Sequence, residues 1–361
     1  MSVTTLLDRM EDRDWERPAS GTVRYALIGL GWWSVDVAIP AIADGEYATT
    51  TVLVSSSSEK AARIADEHGI GTGISYDEYH AGVASDEYDA VYIGTPNALH
   101  RPYAETAASL EKAILCEKPI AARTEQAAAM VATCEEAGVP FMPAYRMHFD
   151  PAVRRARAAL RDGVIGEPRM VYGNNSQPLL EMIPDENQWR LDADRSGYGT
   201  SVMDLGIYTV YTTRFLLDRD PIRASADMRS VDPAFEDVPD QWAAYMLTLE
   251  DDVLVVGTTS QDAHADSILR ITGTEGTLEL SPAHHGDVDV TIRRGDRHAS
   301  FDTDSIDVEA EMRELFDYFA NRVLRDEPVE PSGRDALVDM RTIEATHEAA
   351  REESSVPVED R

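Results

Sequence analysis

The chain has 361 residues, with 66 acidic side chains against 33 lysines and arginines and a net charge of -33. That charge excludes nucleic acid and anionic membrane surfaces as partners, because both would be repelled. A hydrophobic content of 43% over this length leaves room for two globular domains, and no apolar run approaches the roughly 20 residues that a membrane-spanning helix needs.

Residues 1–22 are polar and are expected to form an extension before the first strand. They lack a basic segment followed by an apolar core, so they do not read as a signal peptide and a cytoplasmic protein is expected. Val23–Ile28 is a short apolar run stopped by Gly29-Leu30-Gly31, and an amphipathic segment follows over 35–43. That order predicts strand, tight turn, helix. A second strand is expected at 50–55, a helix at 58–68 stopped by Gly69, and a short helix at 76–84. Strands at 90–93, 113–116 and 141–144 alternate with helices at 100–110 and 124–137. Alternation of this kind implies a parallel sheet covered on both faces, with ligands at the carboxyl ends of its strands.

After Tyr145 the pattern changes. Helices are expected at 150–160 and 201–217, with a long loop from Gln177 to Ser196 between them. Strand-like runs follow at 242–249, 253–259, 267–272, 277–280 and 288–293 without intervening helices, which predicts a mostly antiparallel sheet. Helices at 308–324 and 335–351 close the chain, and 352–361 reads as a loose tail. The expected fold is α/β: a doubly wound parallel sheet over 23–145, then a second α/β domain over 146–361 with an open, mainly antiparallel sheet. Open sheets of this kind are usually covered, so a homodimer or homotetramer through that sheet is expected.

The Gly29–Gly31 turn reads as the start of a dinucleotide-binding βαβ unit, the alternative being an ordinary glycine turn in another α/β protein. Gly29 permits the turn, Gly31 lets a phosphate approach the backbone, and Ser34 stands where a third glycine is usual. An NAD site usually places Asp or Glu at the end of the second strand. Here that position is Ser55-Ser56-Ser57-Ser58 followed by Lys60, so NADP is favoured over NAD: hydroxyls and a cation suit a 2′-phosphate. One of these serines can equally cap the helix. The only lysines are Lys60, Lys112 and Lys118, so each remaining one merits a reason. Scarce lysine and acidic residues spread along the whole chain together read as a halophile's protein, whose self-repulsion salt would screen. Lys118, within Glu117-Lys118-Pro119, follows an apolar strand directly and is placed at the cofactor crevice. Thr95-Pro96-Asn97 can line the nicotinamide side or be only a turn. Trp33, Tyr145-Arg146-Met147-His148, Trp189 and Arg190 are further candidates for contacts to cofactor or sugar. Cys116 and Cys134 read as buried, reduced thiols, and His284-His285 as a turn rather than a metal site; no metal is expected.

With these motifs in order, the chain resembles the glucose–fructose oxidoreductase / inositol dehydrogenase superfamily. The resemblance rests on the glycine turn, Thr95-Pro96-Asn97 with His100, Glu117-Lys118-Pro119, Tyr145-Arg146, Trp189-Arg190, Gly197-Tyr198-Gly199 and Asp204-Leu205-Gly206-Ile207-Tyr208. It implies an NADP-dependent oxidoreductase with Lys118, Asp204 and Tyr208 as catalytic residues. It implies cofactor contacts from Gly29, Gly31, Trp32, Trp33, Ser55, Ser56, Ser57, Lys60, Tyr76, Thr95, Pro96, Asn97, His100, Glu117, Lys118, Arg146, Trp189 and Arg190. Substrate contacts are implied for Lys118, Tyr145, Asp204 and Tyr208. Tyrosine at position 208, where many members carry histidine, resembles the sugar-oxidising branch. The implied reaction is oxidation of an aldose at C1 to the lactone, D-xylose first and D-glucose second, with NAD a weaker cofactor than NADP. Tyr208 would be the base; a free tyrosine has a pKa of about 10, so a cation such as Lys118 would have to favour its phenolate. Asp204, four residues earlier, would share a helix face with Tyr208 and orient the sugar. On the residues alone, Asp204 reads equally as a helix-surface acid and Tyr208 as a core aromatic. The competing functions are another sugar or diol oxidoreductase of the superfamily and a non-catalytic NADP-binding regulator.

Overall fold

The computed structural model describes residues 13, 15–286, 288–301 and 307–359. The expectation for residues 1–12 and 14 of the extension lies outside the described residues. Trp15, within the extension, is buried with its ring edge-on to Tyr318 at 5.5 Å. The chain divides into two compact units, described here in turn.

The first unit holds residues 15–146 and 308–337. Six strands form one parallel sheet: β1 (Val23–Ile28), β2 (Ala48–Ser55), β3 (Thr72–Ser75), β4 (Ala90–Ile93), β5 (Ala113–Cys116) and β6 (Phe141–Pro143), in the order β3-β2-β1-β4-β5-β6. Every residue of β4 and β5 is buried, as a sheet covered on both faces requires. The order reverses between β1 and β4, and the crevice beyond such a switch point is where α/β sheets bind ligands. Helix Ser58–His68 starts on the Ser57 side chain, which accepts from the Lys60 N–H, and stops at left-handed Gly69. Helix Thr124–Ala137 stops in the same way at Gly138.

Three local expectations change here. The helix expected over 35–43 is a π-helical turn, Ser34–Ala38, followed by a short α-helix, Ile39–Ala43. Pro40 has no N–H to give to the carbonyl four residues back, so an unbroken α-helix is not available. The segment at 76–84 is helical only over Tyr76–His80. Strand β3, with Thr72-Gly73, was not expected, because glycine disfavours strands. Its Gly73 is needed: a Cβ there would run into the backbone of Ala61 and Ala62 on the neighbouring helix. Helix Val308–Arg325, assigned by sequence to the second domain, belongs to this unit. Its Phe316 ring lies edge-on to Tyr25 and Tyr92, and Asp317 accepts from the N–H groups of Glu46 and Tyr47. Cys116 and Cys134 are buried free thiols, and burial pushes the Cys116 pKa well up.

The second unit is built chiefly from residues 147–307 and 338–361. Its sheet has nine strands: β7 (Pro168–Pro178), β8 (Pro221–Arg229), β9 (Trp242–Leu249), β10 (Leu254–Ser260), β11 (Asp262–Gly273), β12 (Thr277–Leu280), β13 (Val290–Arg294), β14 (Arg297–Phe301) and β15 (Val356–Pro357). The order is β14-β13-β12-β11-β7-β10-β9-β8-β15. Only the β7–β10 pairing is parallel among these; the others run antiparallel. The tail expected to be loose therefore contributes an edge strand: Val356 pairs with Ala224.

One face of this sheet carries helix Ile207–Leu217, most of whose residues are buried. Gly173 and Gly257 face each other across β7 and β10. A Cβ on Gly173 would meet Thr209 of that helix, and one on Gly257 would run into the Tyr245 ring. The paired glycines thus make the room that Thr209 and Tyr245 occupy, and the Tyr245 hydroxyl donates to the Gly206 carbonyl at 3.1 Å. The opposite face is open and apolar. Met170, Tyr172, Met246, Leu254 and Val256 are all 40–55% exposed; Val256 pairs with both Tyr172 and Met246, and Leu254 with Met170, so they form one patch. Among the described residues, no helix is long and apolar enough to cross a membrane.

Candidate active site

In the first unit the site begins where β1 and β4 end. The Gly94 N–H donates to the Ile28 carbonyl at 2.8 Å, which sets the two turns side by side. Gly29 has φ +94°, and a Cβ on it would stand 2.7 Å from the Gly94 carbonyl oxygen. Gly31 is different: a Cβ there would meet nothing within 4 Å, so its backbone is open to a bulky ligand. Ser34, in place of a third glycine, is buried, and its hydroxyl fills the space that a side chain at position 94 would need. A glycine at 94 therefore compensates for the serine at 34.

The ammonium of Lys60 is part-buried and donates to the Leu30 carbonyl at 2.9 Å, inside the glycine turn. Ser55 is buried at the end of β2 and Ser56 is exposed. Ser57 caps the following helix, and Ser58 donates to Glu78 at 2.6 Å. Of the two alternatives for this serine run, capping is taken by Ser57. An open glycine turn with a cation and a hydroxyl beside it fits the phosphates of a dinucleotide. Tyr76 packs its ring 5.1 Å from Tyr103, and Trp32 is 54% exposed beside Trp33.

Glu117-Lys118-Pro119 follows β5 and is held by a chain of hydrogen bonds. Trp33 Nε1 donates to the Tyr92 hydroxyl at 3.0 Å, Tyr92 donates to Glu117 Oε1 at 2.7 Å, and Glu117 Oε2 accepts the Lys118 backbone N–H at 3.2 Å. Burial raises the Glu117 pKa, against the hydrogen bond from Tyr92 and the nearby Lys118 charge, which lower it. Burial, then the neighbouring Glu117 charge, holds the Tyr92 hydroxyl well above its ordinary value, so it stays a donor. Lys118 itself is half-buried. His100 is buried with Nε2 2.7 Å from the Thr95 carbonyl, and burial lowers its pKa to about 4, so it is neutral at pH 7. Asn97 is buried and Pro96 half-buried on the same turn. Arg146 is buried and its guanidinium pairs with Glu311 of helix Val308–Arg325, so its charge is matched inside the unit. Tyr145, beside it, is also buried.

In the second unit Asp204 lies in a π-helical turn, Val202–Gly206, and Tyr208 in the α-helix that follows. The segment that carries them is therefore not one regular α-helix, since it opens with a wider π-helical turn. The start of this segment is fixed from outside. The buried Asp240 carboxylate accepts from the N–H groups of Thr200 at 2.6 Å and Val202 at 2.8 Å. A side chain at Gly199 would run into Asp240 and His347, which accounts for the second glycine of Gly197-Tyr198-Gly199.

The Asp204 Oδ2 atom accepts from Arg190 Nε at 2.9 Å and from Gln261 Nε2 at 3.1 Å, and Gln261 Oε1 accepts from Gln177 at 2.8 Å. Arg190 also lies 4.6 Å over the Trp189 ring. Of the two residues read as cofactor contacts, Arg190 is thus brought to Asp204 and Trp189 stacks on Arg190. Tyr208 is buried between Tyr211, at 5.3 Å, and the rings of His284 and His285, at 5.5 and 5.7 Å. The histidine pair is more than a turn: it packs on Tyr208. His148 is a core residue, stacked 4.1 Å from Phe215, with its pKa pushed well down by burial. Among the described residues, no group of three or more His, Cys, Asp or Glu is arranged to hold a metal ion.

Sequence reasoning missed Tyr92, Gln261, Asn175 and the role of His285. Tyr92 sat in a run read only as buried strand. Asn175 lies on β7, which escaped because Gly173-Asn174-Asn175-Ser176 is composed of residues depleted in strands. Polar side chains buried on a strand were the available signal.

Lys118 belongs to the first unit, and Asp204 and Tyr208 to the second. Comparison with known proteins matches this division. Residues 23–145 match the oxidoreductase family's NAD-binding Rossmann fold, and 153–279 the GFO/IDH/MocA C-terminal domain. The chain is 46% identical to the D-xylose 1-dehydrogenase [NADP(+)] of Haloarcula marismortui, over 99% of each protein. It is 31% identical to D-xylose 1-dehydrogenase (NADP(+)) 2 of Haloferax volcanii, over 93% of this chain and 99% of that one. The crystal structure of aldose-aldose oxidoreductase from Caulobacter crescentus, complexed with glycerol, superposes with a TM-score of 0.86 at 29% identity, covering 93% of this chain and 99% of that one. The chain belongs to the GFO/IDH/MocA family of oxidoreductases.

Proposed function

We propose that the protein is an NADP-dependent aldose 1-dehydrogenase that oxidises the anomeric carbon of D-xylose, with D-glucose second, to the lactone. The observation that carries this reading is the full-length 46% identity to the Haloarcula enzyme of that name. Bound NADP supplies the acceptor for the hydride that leaves C1. The chain's own residues hold the cofactor and move the proton. Gly31, Ser55, Ser56 and Lys60 receive phosphate, with Trp32, Trp33, Tyr76, Thr95, Pro96, Asn97 and His100 along the rest of the cofactor. Tyr208 takes the C1 hydroxyl proton, and the Lys118 ammonium stabilises the negative charge that develops as it leaves. Asp204 accepts a hydrogen bond from a sugar hydroxyl. The two donors to its Oδ2 atom, Arg190 and Gln261, keep the carboxylate oriented. The second reading, favoured by the likeness to the Caulobacter structure, is an aldose–aldose oxidoreductase; turnover of free NADP separates the two.

Lys60→Glu tests the cofactor assignment. It removes the cation that lies 2.9 Å from the Leu30 carbonyl and puts a negative charge there that would repel a 2′-phosphate. The apparent KM for NADP should rise by about tenfold or more, the loss of one charge-assisted contact, while that for NAD stays level or falls. An equal change for both cofactors would contradict it.

The open face of the second unit's sheet supports assembly of like chains, because patches such as Met170, Tyr172, Met246, Leu254 and Val256 are rarely left in water. We assign a homodimer or homotetramer. Light scattering in molar salt should give two or four times the chain mass of 39.8 kDa; a monomer would contradict this. A cytoplasmic location goes with the reading, and cell fractionation checks it.

A further inference from the structure

At the carboxyl ends of β7 and β10 the covered face of the second unit's sheet ends in two glutamines. The strands run parallel, with Gly173 opposite Gly257 and Asn175 opposite Thr259. Side chains two residues apart share a face, so Gln177 and Gln261 continue the rows in which Asn175 donates to the Leu205 carbonyl and Thr259 to the Ser201 carbonyl. Gln261 is anchored by its backbone: its N–H donates to the Gln241 carbonyl at 2.9 Å, and its carbonyl accepts from the Leu179 N–H at 2.8 Å. Its buried side chain spans from Asp204 to Gln177. Nε2 donates to Asp204 Oδ2 at 3.1 Å, and Oε1 accepts from Gln177 Nε2 at 2.8 Å. The carboxylate sets the direction of both amides. Asp204, paired with Arg190 at 2.9 Å, only accepts, so Gln261 turns Nε2 to it. Oε1 then faces Gln177, which answers with its own Nε2. An amide donates at one end and accepts at the other, so the group at position 177 decides which end of Gln261 faces Asp204.

We propose that Gln177 is a positioning residue for the sugar-binding carboxylate: acting through Gln261, its amide N–H keeps a donor on Asp204 Oδ2. The inference deepens the assignment of Asp204 as acceptor of a sugar hydroxyl, and rests on it. With a donor at 177, Oδ2 is held by two donors from separate elements, Arg190 in the turn Trp189–Leu191 and Gln261 after β10. An acceptor at 177 reverses the order. Gln261 then turns Nε2 to the new acceptor and points Oε1 at Oδ2, where two acceptors repel and push Asp204 away from the sugar. An apolar side chain at 177 does neither. Gln261 keeps its bond to Asp204, and water reaches Oε1 at a position that is only half-buried.

The test compares Gln177→Glu, nearly isosteric but an acceptor, with Gln177→Ala. With the sugar that the enzyme oxidises, Gln177→Glu should raise the sugar's KM by about tenfold or more, the loss of one charge-assisted hydrogen bond. Its kcat and its KM for NADP should stay within about threefold, and Gln177→Ala should stay within about threefold in all of these. A side chain that only packs would give the opposite order, because the truncation leaves the larger gap. Gln261→Met, which has no amide to turn, separates the relay from the new charge itself: in that background Gln177→Glu should add nothing, whereas repulsion through space would persist. A second readout needs no turnover. In NMR of the glutamine-labelled protein, the Gln261 side-chain N–H resonances should move in Gln177→Glu and stay in place in Gln177→Ala. An unchanged sugar KM in Gln177→Glu, a larger rise in Gln177→Ala, an effect that persists beside Gln261→Met, or unmoved Gln261 resonances would overturn the proposal. Asp204→Asn separates the two levels. If it leaves the sugar's KM unchanged, the assignment of Asp204 fails. If it raises that KM while Gln177→Glu does not, only the relay fails.

Discussion

Lys118→Ala and Tyr208→Phe each lower kcat by about a thousandfold, within the range for a lost proton-transfer or charge-stabilising group, while NADP still quenches tryptophan fluorescence. Lys118 is linked to Glu117 through its backbone N–H, so truncating the side chain leaves the Trp33–Tyr92–Glu117 chain intact. Tyr208→Phe removes one oxygen and keeps the ring that packs on Tyr211, His284 and His285. Circular dichroism should therefore be unchanged in both variants. Steady-state rates with a saturating aldose check the effect, and either variant working at the parent rate would remove the residue from the mechanism.

Dilution from molar salt to about 0.1 M unfolds the protein, because the Debye length grows from about 3 Å to about 10 Å over that range. A chain carrying a net charge of -33 then feels its own repulsion across neighbouring carboxylates. Exposed pairs such as Arg63–Glu67 and Arg24–Asp89 offset little of this, since surface pairs contribute roughly 1 kcal/mol or less each. This expectation follows from the acidic, lysine-poor sequence. Thermal melts followed by circular dichroism across a potassium chloride series check it: the midpoint should climb steadily with salt. A midpoint independent of salt would contradict it.

What could be read from the sequence was local. Ser57 and Gly69 mark the ends of helix Ser58–His68, and Gly138 marks the end of Thr124–Ala137, because capping chemistry acts over a few residues. Strands β4 and β5 were visible as fully apolar runs. What escaped depends on distant partners. Strand β7 is stabilised by its neighbours β10 and β11 against the preference of its own residues. The pairing of Arg146 with Glu311 could not be read locally, because Glu311 comes from the last third of the chain. The two π-helical turns, at Ser34–Ala38 and Val202–Gly206, carry no hydrophobic period of their own. The site divides along the same line. The candidates Lys118, Asp204 and Tyr208 stand in motifs, whereas Tyr92, Gln261, Asn175 and His285, near them in the structure, lie on strands, a bend and a turn that show none.

The central claim is that this oxidoreductase acts on an aldose at C1 with NADP. The most direct measurement is NADPH formation, followed by absorbance in molar potassium chloride, across a panel of aldoses with NAD run alongside. The account predicts the highest kcat/KM with D-xylose and NADP, a lower one with D-glucose, and weaker rates with NAD. No NADPH from any aldose, by a protein that still binds NADP, would contradict it.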